Sequence, residues 1–435
     1  MSFPLPAPRR LAVLAAALAL VTGALFALMR TPEPANAPGD GSAVTVAGRS
    51  AKARIASLER TVRESPRNVE AATGLAQAYL QMARETDDPS FYTRADEVLA
   101  RARRIAPADG GVLTATGTLA LARHDFRGAQ RDGEAAHRAA PDSTLPDAVL
   151  ADAYIELGRY DDAARTLQHM VDAKPTLAAY ARVSYLRELS GDLPGAVEAM
   201  RLAVAAGSGA AENVAYVQTL LGDLELRRGR RVAAERSYRE ALAVLPSHLR
   251  AQAGLARIDG AAGRLGPAIE RLQRIVNRLP LPELTVALGE TQLAAGRTAE
   301  ARRTLALVPA QERREQAAGV NTDVDLALFE AEHGDARRAV SLARAGWAAA
   351  PSIRSADALA AALTAAGEGD EALRWARRAL ATGWREPAVL EHAARAAHAA
   401  GEDRLARRWI TAALDGADAL SPWRAARARA LQREL

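Results

Sequence analysis

The stretch Thr144–Pro175, TLPDAVLADAYIELGRYDDAARTLQHMVDAKP, decides how this 435-residue chain is read. Leu150, Ala151 and Tyr154 fall on one face of a helix, and Ile155 and Leu157 extend its apolar side. Gly158 ends that helix, at the place where a left-handed residue without Cβ is favoured. Asp161 and Asp162 then fall in the first turn of a second helix, where carboxylates meet the positive end of the helix dipole. Ala163, Leu167 and Met170 form the buried stripe of this second helix. Pro175 closes the segment, because proline cannot continue a helix without losing a hydrogen bond. The segment predicts a helical hairpin.

The hairpin recurs. Ala95, Ala129, Ala163, Ala196, Ala234, Ala268, Ala301, Ala339, Ala372 and Ala406 are separated by 34, 34, 33, 38, 34, 33, 38, 33 and 34 residues. Five residues before eight of them stands a glycine: Gly158, Gly191, Gly229, Gly263, Gly296, Gly334, Gly367 and Gly401. Twelve residues after six of them stands a proline: Pro107, Pro141, Pro175, Pro246, Pro280 and Pro351. A second position, twelve residues before the alanine, is small in every repeat after the first: Gly117, Ala151, Ser184, Gly222, Ala256, Gly289, Ala327, Ala360 and Ala394. A third, seven residues after it, is Ala102, Ala136, Ala203, Ala241, Ala379 or Ala413. Small residues at fixed points of a hairpin mean helices that cross tightly at those points. A fixed period of this size marks a repeat array, in which each unit packs mainly on its neighbours.

The pattern resembles the tetratricopeptide repeat, a helix pair of about 34 residues with W-x2-L-G-x2-Y, A-x3-F and P. Leu221-Gly222, Ala234-x3-Tyr238, Ala241 and Pro246 match it, as do Leu288-Gly289 and Ala301-x3-Leu305. The resemblance covers residues 69–419 and departs at the first aromatic position, which is rarely Trp. It implies an all-α fold, a right-handed superhelical solenoid of about ten helix-turn-helix units. Segments such as HDFRGA, YARVSYLRELSGD and GVNTDVDLALFEAEHGD are similar to bacterial tetratricopeptide proteins, a subgroup that implies no defined reaction. The first repeat carries extra residues around ARETDDPSFYTRA. The two 38-residue gaps predict longer loops around Gly207–Asn213 and Pro309–Gly319.

Both ends differ from the array. Leu11–Met29 is a run of 19 residues without a charge, which as a helix spans about 28 Å, close to a hydrocarbon core. It predicts a retained single-pass anchor within residues 1–30. Arg9 and Arg10 hold the N-terminus in the cytoplasm and put the repeats outside the plasma membrane. The alternative is secretion after cleavage at Ala35-Asn36-Ala37, a site that Pro38 makes a poor one. Residues 31–51, rich in Pro, Gly, Ala and Ser, read as a flexible linker. Residues 52–68 read as a capping helix with Ile55, Leu58 and Val62 on one face. Residues 420–435, which begin a helix at Ser421-Pro422 and are rich in Arg, read as the polar closing helix that an open solenoid needs.

Composition narrows the function classes. The formal charge is +5, and without Arg9, Arg10 and Arg30 it falls to +2, with no basic run in the repeats. No nucleic-acid partner is expected from that distribution. With no cysteine, disulfides and thiolate chemistry are excluded. The seven histidines form no HExxH, and His392 and His398 do not share a helix face, so no metal is expected. No phosphate-binding glycine loop, GxSxG or Ser-x-x-Lys is present, so neither a cofactor nor an enzyme is expected.

A surface therefore remains the candidate. The resemblance implies that the first helix of each repeat lines a concave face. The inward positions are then Gln77, Thr118, Asp152, Arg182, Tyr185, Tyr216, Asp223, Arg257 and Glu290. Tyr and Arg are enriched at binding hot spots, which puts Arg182, Tyr185 and Tyr216 first. The lysine and asparagine carboxylate clamp of chaperone-binding family members is absent, so an acidic C-terminal tail is not the expected ligand. The expected partner is a protein or peptide held in the groove of a non-catalytic, membrane-tethered scaffold. A second expectation is a cell-wall or carbohydrate-binding envelope assembly factor.

Overall fold

The glycine, the alanine and the proline of each repeat fix three events in order: a helix ends, a second one packs back on it, and the pair closes. The computed structural model describes residues 43–86, 88–207 and 211–435, with side chains from residue 52 onward. It divides into two compact units, Met1–Gly48 and Arg49–Leu435, and the second is described here. The expected anchor and cleavage site lie outside the described residues. Among the described residues, no helix is long and apolar enough to cross a membrane.

Helix α1 (Ala43–Glu64) precedes the array. The first four repeats are the helix pairs α2 (Val69–Thr86) and α3 (Ser90–Ile105), α4 (Gly110–Ala122) and α5 (Phe126–Ala139), α6 (Leu145–Glu156) and α7 (Tyr160–Ala173), and α8 (Leu177–Leu189) and α9 (Leu193–Ala205). Repeats five to seven are α10 (Ala211–Arg227) and α11 (Arg231–Val244), α12 (Leu249–Ala261) and α13 (Leu265–Arg278), and α14 (Pro282–Ala294) and α15 (Thr298–Leu305). After an extra helix, α16 (Val308–Ala317), come α17 (Asp323–His333) and α18 (Ala336–Ala349), α19 (Ile353–Ala365) and α20 (Gly369–Ala379), and α21 (Pro387–Ala399) and α22 (Asp403–Asp415). A short 3-10 turn, Ala417–Ala419, leads to the closing helix α23 (Pro422–Glu434).

Two expectations about boundaries change. Helix α1 begins at Ala43, inside the stretch read as linker, because no proline follows Pro38 there to interrupt it. Ile55 and Val62 are buried against the first repeat, as the capping role requires. The residues around 309–319 form α16 and not a loop, and the extra residues of repeat one lengthen α2 and α3.

The ten periodic alanines are all fully buried, at 0% exposure. Their partners across the hairpin explain why both positions stay small. A Cβ on Gly222 would lie 2.5 Å from the Tyr238 ring, and one on Gly289 would lie 2.6 Å from Leu305. Where Ser184 takes that position, its hydroxyl donates to the carbonyl of Ala196 at 2.7 Å. Side chains interdigitating at close-packed density leave no room for another methyl group.

The turns are as uniform. Gly158, Gly191, Gly229, Gly263, Gly296, Gly367 and Gly401 all have φ between +68° and +79°. The N–H of the residue after the glycine reaches back into the last turn of the first helix. Arg159 N, for example, donates to the Tyr154 carbonyl at 2.8 Å, which caps that helix. In repeat two His124 holds the glycine position, at φ +58°. Gly334 departs from the rule: its φ is −133°, and the Glu330 carboxylate accepts from Asp335 N at 2.8 Å in place of the backbone carbonyl.

The array does not stay open. Turns inside repeats two to six meet links between repeats seven and ten or after them. Asn321 N donates to the Arg123 carbonyl at 2.9 Å, and Ile353 N donates to the Tyr160 hydroxyl at 3.0 Å. The Thr382 hydroxyl donates to the Leu189 carbonyl at 2.5 Å, and Arg231 clasps Asp418 through two hydrogen bonds of 2.8 and 2.9 Å. Gly260 sits against Pro422. The seam advances one repeat at a time, so the first part of the array is laced along the last.

Candidate functional site

The inward positions gather where the seam encloses them. On α6 and α8, Arg182 grips Asp152 with two hydrogen bonds of 2.8 Å in the planar fork that guanidinium and carboxylate share. One turn further on, the Tyr185 hydroxyl donates to Glu156 at 3.2 Å, and Arg354 from α19, across the lumen, lies 3.9 Å from Glu156. Burial, and after it the Glu156 charge, pushes the Tyr185 phenol pKa up. On α10 and α12, Asp223 accepts from the Tyr238 hydroxyl at 2.7 Å and pairs with Arg257. Arg227 bridges Glu188 and Glu386. Burial disfavours its charge, but those two carboxylates outweigh burial and raise its pKa.

Tyr216 is different. Its side chain is 43% exposed, and it is the one aromatic among the described large apolar side chains left open to solvent. Its phenol pKa is nevertheless raised, chiefly by desolvation. Burial disfavours the Arg182 charge, but Asp152 outweighs burial and raises its pKa. A cavity of about 270 Å³ opens nearby, with Asp152, Glu156, Asp325 and Arg354 among its lining residues and Phe126 and Val324 on its apolar side.

Asp152, Arg182, Tyr185, Tyr216, Asp223 and Arg257 thus come together on adjacent repeats. Gln77 is exposed on repeat one, away from them. Thr118 is half-buried and turns its hydroxyl back onto the Thr114 carbonyl at 2.8 Å. Glu290 stands apart and is covered: it accepts from Arg424 at 3.2 Å and lies 3.1 Å from His333 Nε2.

Glu290 belongs to a second cluster that periodicity did not reveal. Glu290, Glu332, His333, Asp357, Glu391 and His392 have side chains only 1–7% exposed. Arg427 of α23 donates to Glu391 at 2.8 and 3.1 Å and also to Glu332, and Arg395 donates to Glu332 at 2.6 Å. His392 Nδ1 meets Asp357 at 3.0 Å, while its Nε2 accepts from Arg424 at 2.9 Å. Accepting at Nε2 fixes the neutral tautomer that donates from Nδ1. Burial would raise the Glu290 pKa, but Arg424 and the His333 hydrogen bond prevail and hold it at about 2. Glu332, Glu391 and His392 offer ligand atoms within 4.8 Å of one another, the spacing of a metal centre. Three guanidinium groups already donate to these side chains, leaving Glu391 Oε2 without a hydrogen-bond partner, and a set of atoms facing three positive charges does not fit a further cation. The sequence held two usable signals for this cluster: Glu290 and Arg395 occupy the same inward phase, in repeats seven and ten.

With this geometry in view, the comparisons can be placed. A tetratricopeptide repeat family model matches residues 120–184, from the end of α4 to the middle of α8. No curated protein matches the chain. Among solved structures, a thermophilic tetratricopeptide protein from Thermus thermophilus is 21% identical, with a TM-score of 0.36 over 40% of this chain and 94% of that one. PilW, a type IV pilus biogenesis factor, is 20% identical, with a TM-score of 0.40 over 48% of this chain and 97% of that one. A tetratricopeptide repeat protein from Parabacteroides merdae is 16% identical, with a TM-score of 0.41 over 56% of this chain and 97% of that one. Over residues 120–184 the chain is thus similar to the tetratricopeptide repeat, and the remaining helix pairs continue the same all-helical architecture.

Proposed function

We propose that the chain is a membrane-tethered scaffold that takes a peptide or loop of a partner protein onto its inner surface around Tyr216, outside the plasma membrane. The observation that carries this reading is Tyr216 itself, an exposed aromatic at an inward position next in the array to the paired Arg182 and Tyr185. Aromatic and arginine side chains are the usual anchors of protein interfaces. The neighbouring pairs, Arg182 with Asp152 and Tyr185 with Glu156, offer donors and acceptors that an incoming backbone can exchange for. Leu11–Met29 supplies the tether, and Arg9 and Arg10 set its orientation.

The test is photo-crosslinking from position 216 of the full-length chain in its native cells. A discrete partner adduct is expected, and it should disappear when Arg182→Ala and Tyr185→Ala are introduced together. Adducts of equal yield in that variant, or none from the unaltered chain, would overturn the reading.

A further inference from the structure

Helix α23 does more than close the array. A closing helix needs only to cover the last hairpin, yet α23 also packs on α14, three repeats away, and reaches Glu332 on α17. Its apolar contribution is modest: Ala425 and Ala428 are buried, and Leu431 and Leu435 pack against the core of the last repeats. Charge holds the other side of the helix. Arg424 and Arg427 point into the carboxylates of Glu290, Glu332 and Glu391, while Trp423 lies 5.2 Å from the His333 ring with Arg427 over its face at 4.5 Å. Without α23 this inner surface would hold Glu290, Glu332, Asp357 and Glu391 against Arg395 and the imidazoles of His333 and His392. Four carboxylates facing one guanidinium and two imidazoles favour a cationic ligand.

We propose that α23 is an internal occupant of an acid-lined groove formed by repeats seven to ten. A partner helix of the same chemistry, with two arginines three residues apart behind a tryptophan, takes the groove by displacing it. The proposal rests on the scaffold reading and names the chemistry of a partner at a separate place, so the two can fail independently. A released α23 is a short helix without a covering surface, and isolated helices of that length are marginal in water.

The test uses the full-length chain carrying Arg424→Glu and Arg427→Glu, which turns the helix's charges against the groove, and a synthetic peptide of residues 421–435. The peptide is expected to bind the folded variant and to bind the unaltered chain at least about tenfold more weakly. Each arginine-to-alanine change in the peptide should weaken binding by about tenfold or more, since each loses hydrogen bonds to buried carboxylates. No binding to a variant that retains its helical circular dichroism would overturn the proposal, as would equal binding of the alanine peptide. If the variant does not fold, hydrogen exchange on the unaltered chain decides the question. An excess of the 421–435 peptide, which competes for the same carboxylates, should speed exchange in α23 and not in α22. Unchanged protection of α23 would overturn the proposal in that arm.

Discussion

At the scale of single residues, one sequence position serves two physical purposes. The glycine five residues before each periodic alanine is left-handed in seven repeats, and that conformation alone justifies it. Around Gly263, Gly296, Gly367 and Gly401 there is open space, so an added methyl group meets nothing. Gly158 and Gly191 are different: a Cβ there would run into the backbone carbonyl oxygens of Pro351 and Gly383 across the seam. Alanine at Gly263 or Gly367 should therefore cost only the left-handed penalty, about 1–2 kcal/mol. Alanine at Gly158 or Gly191 should cost that much plus the price of parting two backbones, another ~1–3 kcal/mol. Urea denaturation of the four variants measures this. Equal losses at all four would show that the seam is not in contact in solution. The glycines were legible in the sequence because a turn needs them locally. Their second role was not, since the carbonyls they meet belong to repeats far along the chain.

At the scale of elements, α16 shows what an insertion does to a repeat array. Its residues were expected as a loop because the 38-residue gap after Ala301 reads as a longer connection. The helix forms because Val308 and Glu312, one turn apart, both find buried places beside α14 and the following link. Glu312 is an odd choice for such a place. Desolvation, reinforced by the charges of Glu315, Asp325 and Glu283, moves its pKa from the ordinary 4.5 to about 7. A carboxyl with a raised folded pKa holds a proton that the unfolded chain gives up. Its contribution to stability is therefore complete below pH 4.5 and is lost as the pH rises through about 7. His248 works in the opposite sense: burial lowers its pKa from 6.5 to about 4, so its contribution is lost as the pH falls through that range. The two windows overlap and oppose each other, so Glu312→Gln should make stability rise more steeply with pH between about 4.5 and 7 and leave the slope below pH 4.5 unchanged. Stability measured by urea unfolding across this range checks it, and an unaltered slope in the upper window would mean that Glu312 is not the titrating group.

At the scale of the whole array, periodicity and closure are separate properties, and only the first was written plainly in the sequence. The hairpins follow from contacts within about 34 residues, which repeat ten times and reinforce one another. Closure depends on a small rotation between neighbours accumulated over successive repeats, and no motif encodes it. The same limit hid the carboxylate cluster, because Glu290, Glu332 and Glu391 become neighbours only when α23 brings its arginines to them. An open solenoid is held by nearest-neighbour interfaces and can unfold piece by piece from its ends. A laced one cannot, since repeats two to six lose partners when repeats seven to ten open. The Arg231–Asp418 clasp and the Gly191–Gly383 approach are two adjacent stitches of that seam. Arg231 opens α11, so Arg231→Asp leaves its helix intact, and even favoured, while placing two carboxylates face to face. Combined with Gly191→Leu, it should part the seam without touching a hairpin core. The unaltered chain should then unfold in one transition and the variant in two, with the slope of each smaller because each exposes less surface. Small-angle scattering should show a larger radius of gyration for the variant under native conditions. A single transition with unchanged scattering would mean that the array stays closed without these stitches, and that the remaining contacts, among them Arg123 with Ala318, Tyr160 with Ile353 and Arg227 with Glu386, suffice to hold it.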